Sequence, residues 1–264
     1  MSFDAGGASN IANVQVVRVL SYDVGLAPWR IKKSGMATPE KGRRTAFLFD
    51  LDGTLVDSVY QHVLAWRAAL DQLGIECAVW RIHRRIGMSG GLLANALPRE
   101  IGRPVTAEEA ERLKQLHAES YAHQAAQVRA LPGATELLAT LTRAAVPFAI
   151  ATSARLDVAR PSLELLGVGP KVPIITRDDV VHAKPDPDLF LAAARKLGVE
   201  IEQSWVVGDS VWDLLASRRA HALGIGLLSG GYGHDELVQA GAYRVYQDPA
   251  EMLRHLDELG VRQE

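Results

Sequence analysis

Cysteine is almost absent from this chain: Cys77 is its only one, so no disulfide bond can form within it. The sequence also lacks an apolar run near the ~20 residues that span a bilayer. Neither charge is in excess, since 29 lysines and arginines stand against 31 aspartates and glutamates. The chain therefore offers no basic surplus typical of nucleic-acid binding and no charge block typical of membrane binding. These absences predict a cytoplasmic protein in a reducing compartment.

The composition is that of an ordinary globular protein, with 48% hydrophobic and 23% charged residues. A chain of 264 residues suits one large domain, or a core with a smaller insertion. Residues 1–44 differ from the rest, because they contain several glycines and prolines and end in the basic cluster Lys41-Gly42-Arg43-Arg44. We predict a disordered or loosely attached leader there. Met36 is an alternative start of translation, so whether residues 1–35 belong to the natural protein stays open.

Two aspartates interrupt the most apolar stretch of the sequence. Residues 46–49 form a short, aromatic-rich run that predicts a buried strand, and Asp50, Asp52, Gly53 and Thr54 follow it. In an extended chain, side chains two residues apart point the same way, so both carboxylates aim into one place. Such a pair is costly unless a cation or a shared proton relieves the repulsion. The tetrapeptide alone also fits a turn, so the rest of the chain must decide.

Strands and helices alternate along most of the remaining sequence. Residues 58–130 contain helical patterns and no convincing strand, which predicts a helical insertion. A capping box at Thr106 opens its longest helix, expected to run to about Val128. The alternation predicts an α/β fold with a Rossmann-like parallel sheet and helices on both faces. Its core comprises residues 45–57 and 131–260. Further strands are predicted at residues 147–151, 174–176, 205–207, 225–228 and 243–246.

Polar side chains follow three of these later strands. Thr152 and Ser153 stand at the predicted start of a helix over residues 154–166, where free backbone N–H groups bind anions. Lys184 precedes a proline, and Asp186 is the expected cap of the next helix, over residues 187–197. A helix cap and a solvated lysine are the ordinary explanations for such residues.

Asp209 and Asp213 flank a further helix start, where capping would also explain them. All of these residues nevertheless follow strands, and the carboxyl ends of parallel strands meet at one edge of the sheet.

Taken together, the motifs resemble those of the haloacid dehalogenase (HAD) superfamily. That family carries Asp-x-Asp-Gly-Thr, then a Thr or Ser, then a Lys often followed by Pro, then Gly-Asp-x-x-x-Asp. All four occur here in this order, each at a predicted strand end. The resemblance covers roughly residues 45–250. It implies that residues 58–130 are a helical cap domain closing over the substrate, with hinges near residues 57–59 and 130–133.

The resemblance also implies a Mg²⁺ cofactor and a set of metal ligands. Asp50 would be both the nucleophile, forming an aspartyl-phosphate, and a ligand. The backbone carbonyl of Asp52 and the carboxylate of Asp209 would complete the protein ligands. Asp213 would support the metal from nearby or pair with Lys184.

The remaining core residues would handle the phosphoryl group and a proton. Thr152, the Ser153 amide and Lys184 would hold the transferring oxygens. Asp52 would protonate the leaving alkoxide and then activate water, which calls for a pKa raised by a neighbouring carboxylate. Dehalogenases of the superfamily lack this second aspartate, so Asp52 favours a phosphatase or phosphomutase.

Cap residues would set substrate specificity. Trp66 is expected in the cap core, and Arg81 and His83 are expected to be solvated. The candidate specificity residues are His62, Trp66, Arg84, Arg85, Met88 and Ser89, and a position on the cap surface would also explain His62.

Three alternatives remain beside the phosphatase. The chain is similar to β-phosphoglucomutases in the spacing of His62 and Trp66, but those enzymes carry an arginine where Gly90 stands here. Phosphonoacetaldehyde hydrolases use a cap lysine, and residues 58–113 contain none. A non-catalytic binding protein of this fold typically loses the nucleophile or a metal carboxylate, and neither is lost. We therefore predict a Mg²⁺-dependent phosphatase of a small phosphorylated metabolite, such as phosphoglycolate or a sugar phosphate. The oligomeric state stays open.

Overall fold

The computed structural model describes residues 45–261 of the protein. The predicted leader, residues 1–44, lies outside this range. Within it, no helix has the length and apolar character needed to cross a membrane.

A six-stranded sheet forms the centre of the protein. Its strand order is β5-β4-β1-β6-β7-β8, and every neighbouring pair is parallel. The strands are β1 (Ala46–Phe49), β4 (Phe148–Ala151), β5 (Ile174–Ile175), β6 (Ser204–Gly208), β7 (Leu223–Leu227) and β8 (Ala242–Tyr246). β4 and β5 lie on one side of β1, and β6, β7 and β8 lie on the other, so the order in which strands join the sheet reverses at β1. Such a reversal is where open α/β sheets form their ligand crevice.

Strand β1 is buried on both faces, as its continuous apolar sequence predicts. Phe47 and Phe49 pack into the core on one face of the sheet, while Leu48 packs with Phe190 on the other. The ring of Phe49 meets Phe148 of the neighbouring strand edge to face, with centroids 6.3 Å apart. This double-sided packing gives β1 a rigid position, and with it the aspartates that follow.

Helices cover both faces of the sheet, which confirms the predicted fold class. They are α5 (Ala134–Arg143), α6 (Leu156–Leu165), α7 (Asp188–Leu197), α8 (Val211–Ala220), α9 (His234–Ala240) and α10 (Pro249–Arg254).

Four further helices form the inserted cap: α1 (Val59–Gln72), α2 (Val79–His83), α3 (Gly90–Glu100) and α4 (Ala107–Gln124). Their apolar faces make a separate core that includes Trp66, Leu97 and Leu113. The chain enters and leaves the cap through an antiparallel pair of two-residue strands, β2 (Val56–Asp57) and β3 (Arg129–Ala130). The sequence patterns missed this pair because two residues carry no periodicity. The exact domain boundaries stay a prediction.

Several predicted element limits were wrong. Helix α4 has the predicted capping box at Thr106 but ends at Gln124, where a 3₁₀ turn begins. Helix α6 begins only at Leu156. Asp186 does not cap α7, because its carboxylate accepts a hydrogen bond from Arg219 Nη1 at 3.0 Å.

Candidate active site

A cavity of about 480 Å³ opens at the carboxyl end of β1, between the sheet and the cap. It brings together predicted site residues from both parts of the protein. Those that line it are Asp50, Asp52, His62, Met88, Thr152 and Ser153. Trp66 also lines it while belonging to the cap core, as predicted.

Lys184 lies fully buried behind the cavity and joins two carboxylates. Its Nζ contacts Asp50 and lies 2.7 Å from Asp213 Oδ1. Burial opposes the charge on Lys184, but the carboxylates of Asp213 and Asp50 outweigh it and raise the pKa of the ammonium group. Of the two roles considered for Asp213, pairing with Lys184 is therefore observed. The backbone N–H of Ser210 also donates to Asp213 Oδ2, at 3.1 Å.

The carboxylates of Asp50, Asp209 and Asp213 form a buried cluster, with one oxygen from each within 4.8 Å of the others. Burial raises the pKa of Asp50 to about 7, and the nearby charges of Asp213 and Asp52 act in the same direction. Burial and the same cluster raise the pKa of Asp209 well above its usual value. One ammonium group cannot neutralise three carboxylates, so the cluster has excess negative charge when ionised.

These residues fit a divalent cation. Carboxylate oxygens are the ligands that Mg²⁺ prefers in proteins. Two glycines let the backbone approach Asp209 closely: a Cβ placed on Gly230 would lie 1.8 Å from Asp209 Oδ2, and one on Gly53 would lie 2.5 Å from it. Thr54 Oγ1 donates to the other oxygen of Asp209, at 2.9 Å. These contacts hold the Asp209 carboxylate in place within the acidic cluster.

The side chain of Asp52 turns away from this cluster. Its Oδ1 accepts a hydrogen bond from Ser58 Oγ at 2.6 Å and lies 3.3 Å from His62 Nε2. Burial would raise the pKa of Asp52, but His62 and Ser58 outweigh it, so the pKa lies below its usual value. The expected rise was wrong, because the carboxylate faces two donors rather than another carboxylate. Its predicted role as a metal ligand involves the backbone carbonyl and stays a prediction.

Thr152 and Ser153 lie in the loop before α6, not at the helix start that the sequence predicted. The buried Thr152 Oγ1 accepts a hydrogen bond from the backbone N–H of Ala154 at 3.0 Å. Ser153 Oγ donates to the carbonyl of Gly87 in the cap, at 3.1 Å. The second motif thus joins the core to the cap as well as lining the cavity.

The predicted cap contacts separate into two groups. His62 and Met88 line the cavity. Ser89 does not, because its hydroxyl is the N-cap of α3 and accepts a hydrogen bond from the Leu92 N–H at 3.3 Å. Its short side chain therefore serves the helix.

Arg84 and Arg85 also lie outside the cavity lining. Arg84 pairs with Glu236 of the core and stacks over Tyr232, 4.3 Å from the ring centroid. Arg85 pairs with Glu100 at 2.7 Å.

His83 is not solvated as predicted. Its Nε2 lies 2.8 Å from the carbonyl oxygen of Gly230, and its ring stacks on Tyr60. Arg81 is half-buried, with a pair to Glu100 at 3.3 Å. The contacts of His83 and Arg84 thus hold the carboxyl end of α2 against the core.

Two cap residues beside His62 were missed by the sequence reasoning. His117 Nε2 lies 3.1 Å from His62 Nδ1, and the ring of Tyr121 stacks on His62 with centroids 3.9 Å apart. Both come from α4. His117 and Tyr121 are four residues apart, as His62 and Trp66 are on α1. This spacing, which places both side chains on one face of a helix, was the sequence signal that could have identified them.

Comparisons with known proteins agree with this geometry. A family model described as haloacid dehalogenase-like hydrolase matches residues 45–221. Hexitol phosphatase A of Escherichia coli is 33% identical over 67% of this chain and 80% of its own length. A phosphoglycolate phosphatase of Rhodospirillum rubrum is 33% identical over 78% of this chain and 88% of its own length.

Solved structures show the same fold. A hydrolase from Pseudomonas syringae has a TM-score of 0.80 and 55% identity, covering 82% of this chain and 99% of that one. A β-phosphoglucomutase from Clostridium difficile has a TM-score of 0.70 at 23% identity, covering 82% and 99%. The second likeness shows the fold alone. From the family match and the relatives, the chain belongs to the haloacid dehalogenase-like hydrolases.

Proposed function

We propose that this protein is a Mg²⁺-dependent phosphatase that hydrolyses a small phosphorylated metabolite through an aspartyl-phosphate. One observation carries the proposal: Asp50, directly after β1, contacts the buried Lys184, and Asp52 faces Ser58 and His62 two residues later. A nucleophile, a phosphate-binding cation and an acid–base group are thereby gathered at one edge of the sheet.

Asp50 attacks the phosphorus atom, and the bond between phosphorus and the leaving oxygen breaks. Thr152, the Ser153 amide and Lys184 hold the oxygens of the transferring group and stabilise their charge. Asp50, Asp209 and the Asp52 carbonyl would hold Mg²⁺, with Asp213 supporting. Bound there, the ion offsets the repulsion between the carboxylates and a phosphate dianion.

Asp52 supplies the proton that the leaving alkoxide needs and later takes one from the water that attacks the phosphorus of the aspartyl-phosphate. The bond between phosphorus and the Asp50 oxygen then breaks, which releases phosphate and restores the Asp50 carboxylate. In the protein alone, Ser58 and His62 favour its ionised form. A phosphate dianion entering the cavity raises its proton affinity, because like charges disfavour ionisation. Substrate binding therefore shifts Asp52 toward its acid form.

The relatives and the cavity together support a small substrate. The names of the relatives specify phosphoglycolate, hexitol and N-acetylmuramic acid 6-phosphate phosphatases. The cavity here, of about 480 Å³, has room for a molecule of that size class.

A phosphomutase is the second candidate, and the residue at the start of α3 disfavours it. Gly90 lies beside Trp66, where a Cβ would meet the indole at 3.4 Å. The arginine of the β-phosphoglucomutases is missing at this position. Position 90 therefore lacks a cation that would help to retain a phosphorylated sugar between two phosphoryl transfers.

The test is hydrolysis of p-nitrophenyl phosphate with Mg²⁺, with EDTA, and by Asp50→Asn. We expect activity with Mg²⁺ only, and a loss of at least ~10³-fold in the variant, since the nucleophile is removed. A panel of phosphorylated metabolites and a hexose-phosphate mutase assay follow. Full activity of Asp50→Asn, or wild-type inactivity on every phosphoester and in the mutase assay, would overturn the proposal.

A further inference from the structure

His117 connects indirectly to Asp52, the proposed acid–base residue. His62 Nε2 lies 3.3 Å from Asp52 Oδ1, and His62 Nδ1 lies 3.1 Å from His117 Nε2. The three side chains therefore form a continuous chain of polar contacts from α4, through α1, to the loop after β1. His117 also lines the cavity, but among the described residues no contact joins it to Asp52, so its effect on Asp52 passes through His62.

The chemistry of the imidazole ring indicates which group donates in each of these two contacts. A carboxylate only accepts hydrogen bonds, so His62 donates to Asp52 only in the form whose proton lies on the nitrogen that faces it. In a neutral ring the other nitrogen is then an acceptor. His117 Nε2 lies 3.1 Å from that acceptor and donates to it in the tautomer that carries its proton on Nε2. Burial holds the pKa of His117 well below its usual value, so its ring is neutral and has one N–H to give.

Packing restricts both rings. Tyr121 lies parallel to His62, with 2° between the planes and centroids 3.9 Å apart. Trp66 lies on His117, with 19° between the planes and centroids 4.3 Å apart. These aromatic neighbours limit ring rotation, so whether His62 donates to Asp52 depends on which of its nitrogens carries the proton rather than on a turn of the ring.

We propose that His117 is a positioning residue: its hydrogen bond to Nδ1 keeps His62 in the tautomer that donates to Asp52. Without that bond, His62 can place its proton on Nδ1 and present an acceptor to the carboxylate. Asp52 then loses one of its two donors and its fixed orientation toward the leaving oxygen. The kinetic part of this inference rests on the proposed function, whereas the tautomer part does not.

The test uses His117→Phe, which keeps an aromatic ring against Trp66 but has no donor. His117→Gln is the conservative variant, since an amide N–H can reach the same position. His123→Phe is the matched control, because His123 is exposed on the same helix. Thermal unfolding checks that all of the variants fold.

The first readout is the ¹⁵N NMR spectrum of His62 in the full-length protein at pH 8. We expect a protonated Nε2 and an unprotonated Nδ1 in the wild type, His123→Phe and His117→Gln. His117→Phe should show a mixture of tautomers. An unchanged His62 spectrum in a folded His117→Phe variant would overturn the proposal, whatever the enzyme's activity.

The second readout compares kcat/KM for two phosphate esters. Phosphoglycolate leaves as an alkoxide that needs a proton, whereas p-nitrophenol leaves readily without one. His117→Phe should lose about tenfold on the first and under about threefold on the second, with recovery in His117→Gln. Equal losses on both esters, or no recovery in His117→Gln, would mean a merely structural role. If the wild type hydrolyses neither ester, the full panel of phosphorylated metabolites decides the phosphatase proposal, and the NMR result decides the role of His117.

Discussion

Lys184 Nζ lies 2.7 Å from Asp213 Oδ1 and also contacts Asp50, so one fully buried cation joins two acidic residues. Asp50 follows β1 and Asp213 lies in the first turn of α8, so the contact connects elements from distant parts of the chain. A buried charge that loses its partners costs folding free energy, so the ion pairs of Lys184 stabilise the fold as well as shaping the site.

Lys184→Met should destabilise the protein by about 3–5 kcal/mol, because it leaves Asp50 and Asp213 buried without their cation. Urea unfolding at neutral pH with EDTA measures the free energy of unfolding. Lys196→Met is the control, since Lys196 is exposed on α7. A loss below about 1 kcal/mol would show that protonation of the carboxylates replaces the ammonium group without cost.

Stability without Mg²⁺ should fall as pH rises from about 4 to 7. The folded-state pKa of Asp50 is raised from 3.8 to about 7, and that of Asp209 is also raised. A raised pKa in the folded state stabilises the protein below the unfolded-state value, and this stability is lost as pH rises through the folded-state value. Mg²⁺ competes with those protons, so it should bind more tightly at higher pH.

The measurement is the thermal unfolding midpoint with and without millimolar Mg²⁺, at about pH 5.5 and pH 8. We expect a larger Mg²⁺-induced rise at pH 8, approaching about 2.7 kcal/mol of stabilisation when Mg²⁺ reaches 100 times its Kd. An equal rise at both pH values would contradict a site made of these carboxylates.

Gly230→Ala should weaken Mg²⁺ binding and activity by about tenfold, as loss of support around a metal ligand typically does. The new Cβ would lie 1.8 Å from Asp209 Oδ2 and 2.7 Å from its Cβ, so the whole side chain must move. The Mg²⁺ concentration that gives half-maximal activity measures the effect. Gly169→Ala is the control, because no atom lies within 4 Å of a Cβ placed there. Unchanged Mg²⁺ dependence would show that Asp209 can adjust freely.

Much of the fold was predictable because its signals are local. The apolar run before Asp50 predicted β1, and the capping box at Thr106 predicted the start of α4. The start of α6 was not predictable in the same way. Thr152 and Ser153 resemble a helix N-terminus, but their contacts with Ala154 and the cap hold them in a loop.

The candidate site was likewise predictable only where its signals are local. The order of the motifs placed Asp50, Thr152, Lys184 and Asp209 after their strands, because parallel strands end at one edge. Ser89 was predicted to contact substrate and that role stays a prediction, since a hydroxyl that precedes a helix can serve either a ligand or the helix end. Only the position of the Leu92 N–H shows that the hydroxyl serves the helix.

The sequence by itself determined the class of fold, the family and the identity of the charged groups, since these follow from periodicity and from the order of short motifs. The tertiary structure alone decided how those groups are paired. It turned Asp52 toward Ser58 and His62 rather than toward another carboxylate, and so lowered its pKa instead of raising it. It also brought His117 to His62 across 55 positions of sequence. Such contacts depend on how α1 and α4 pack, and no local pattern specifies that packing.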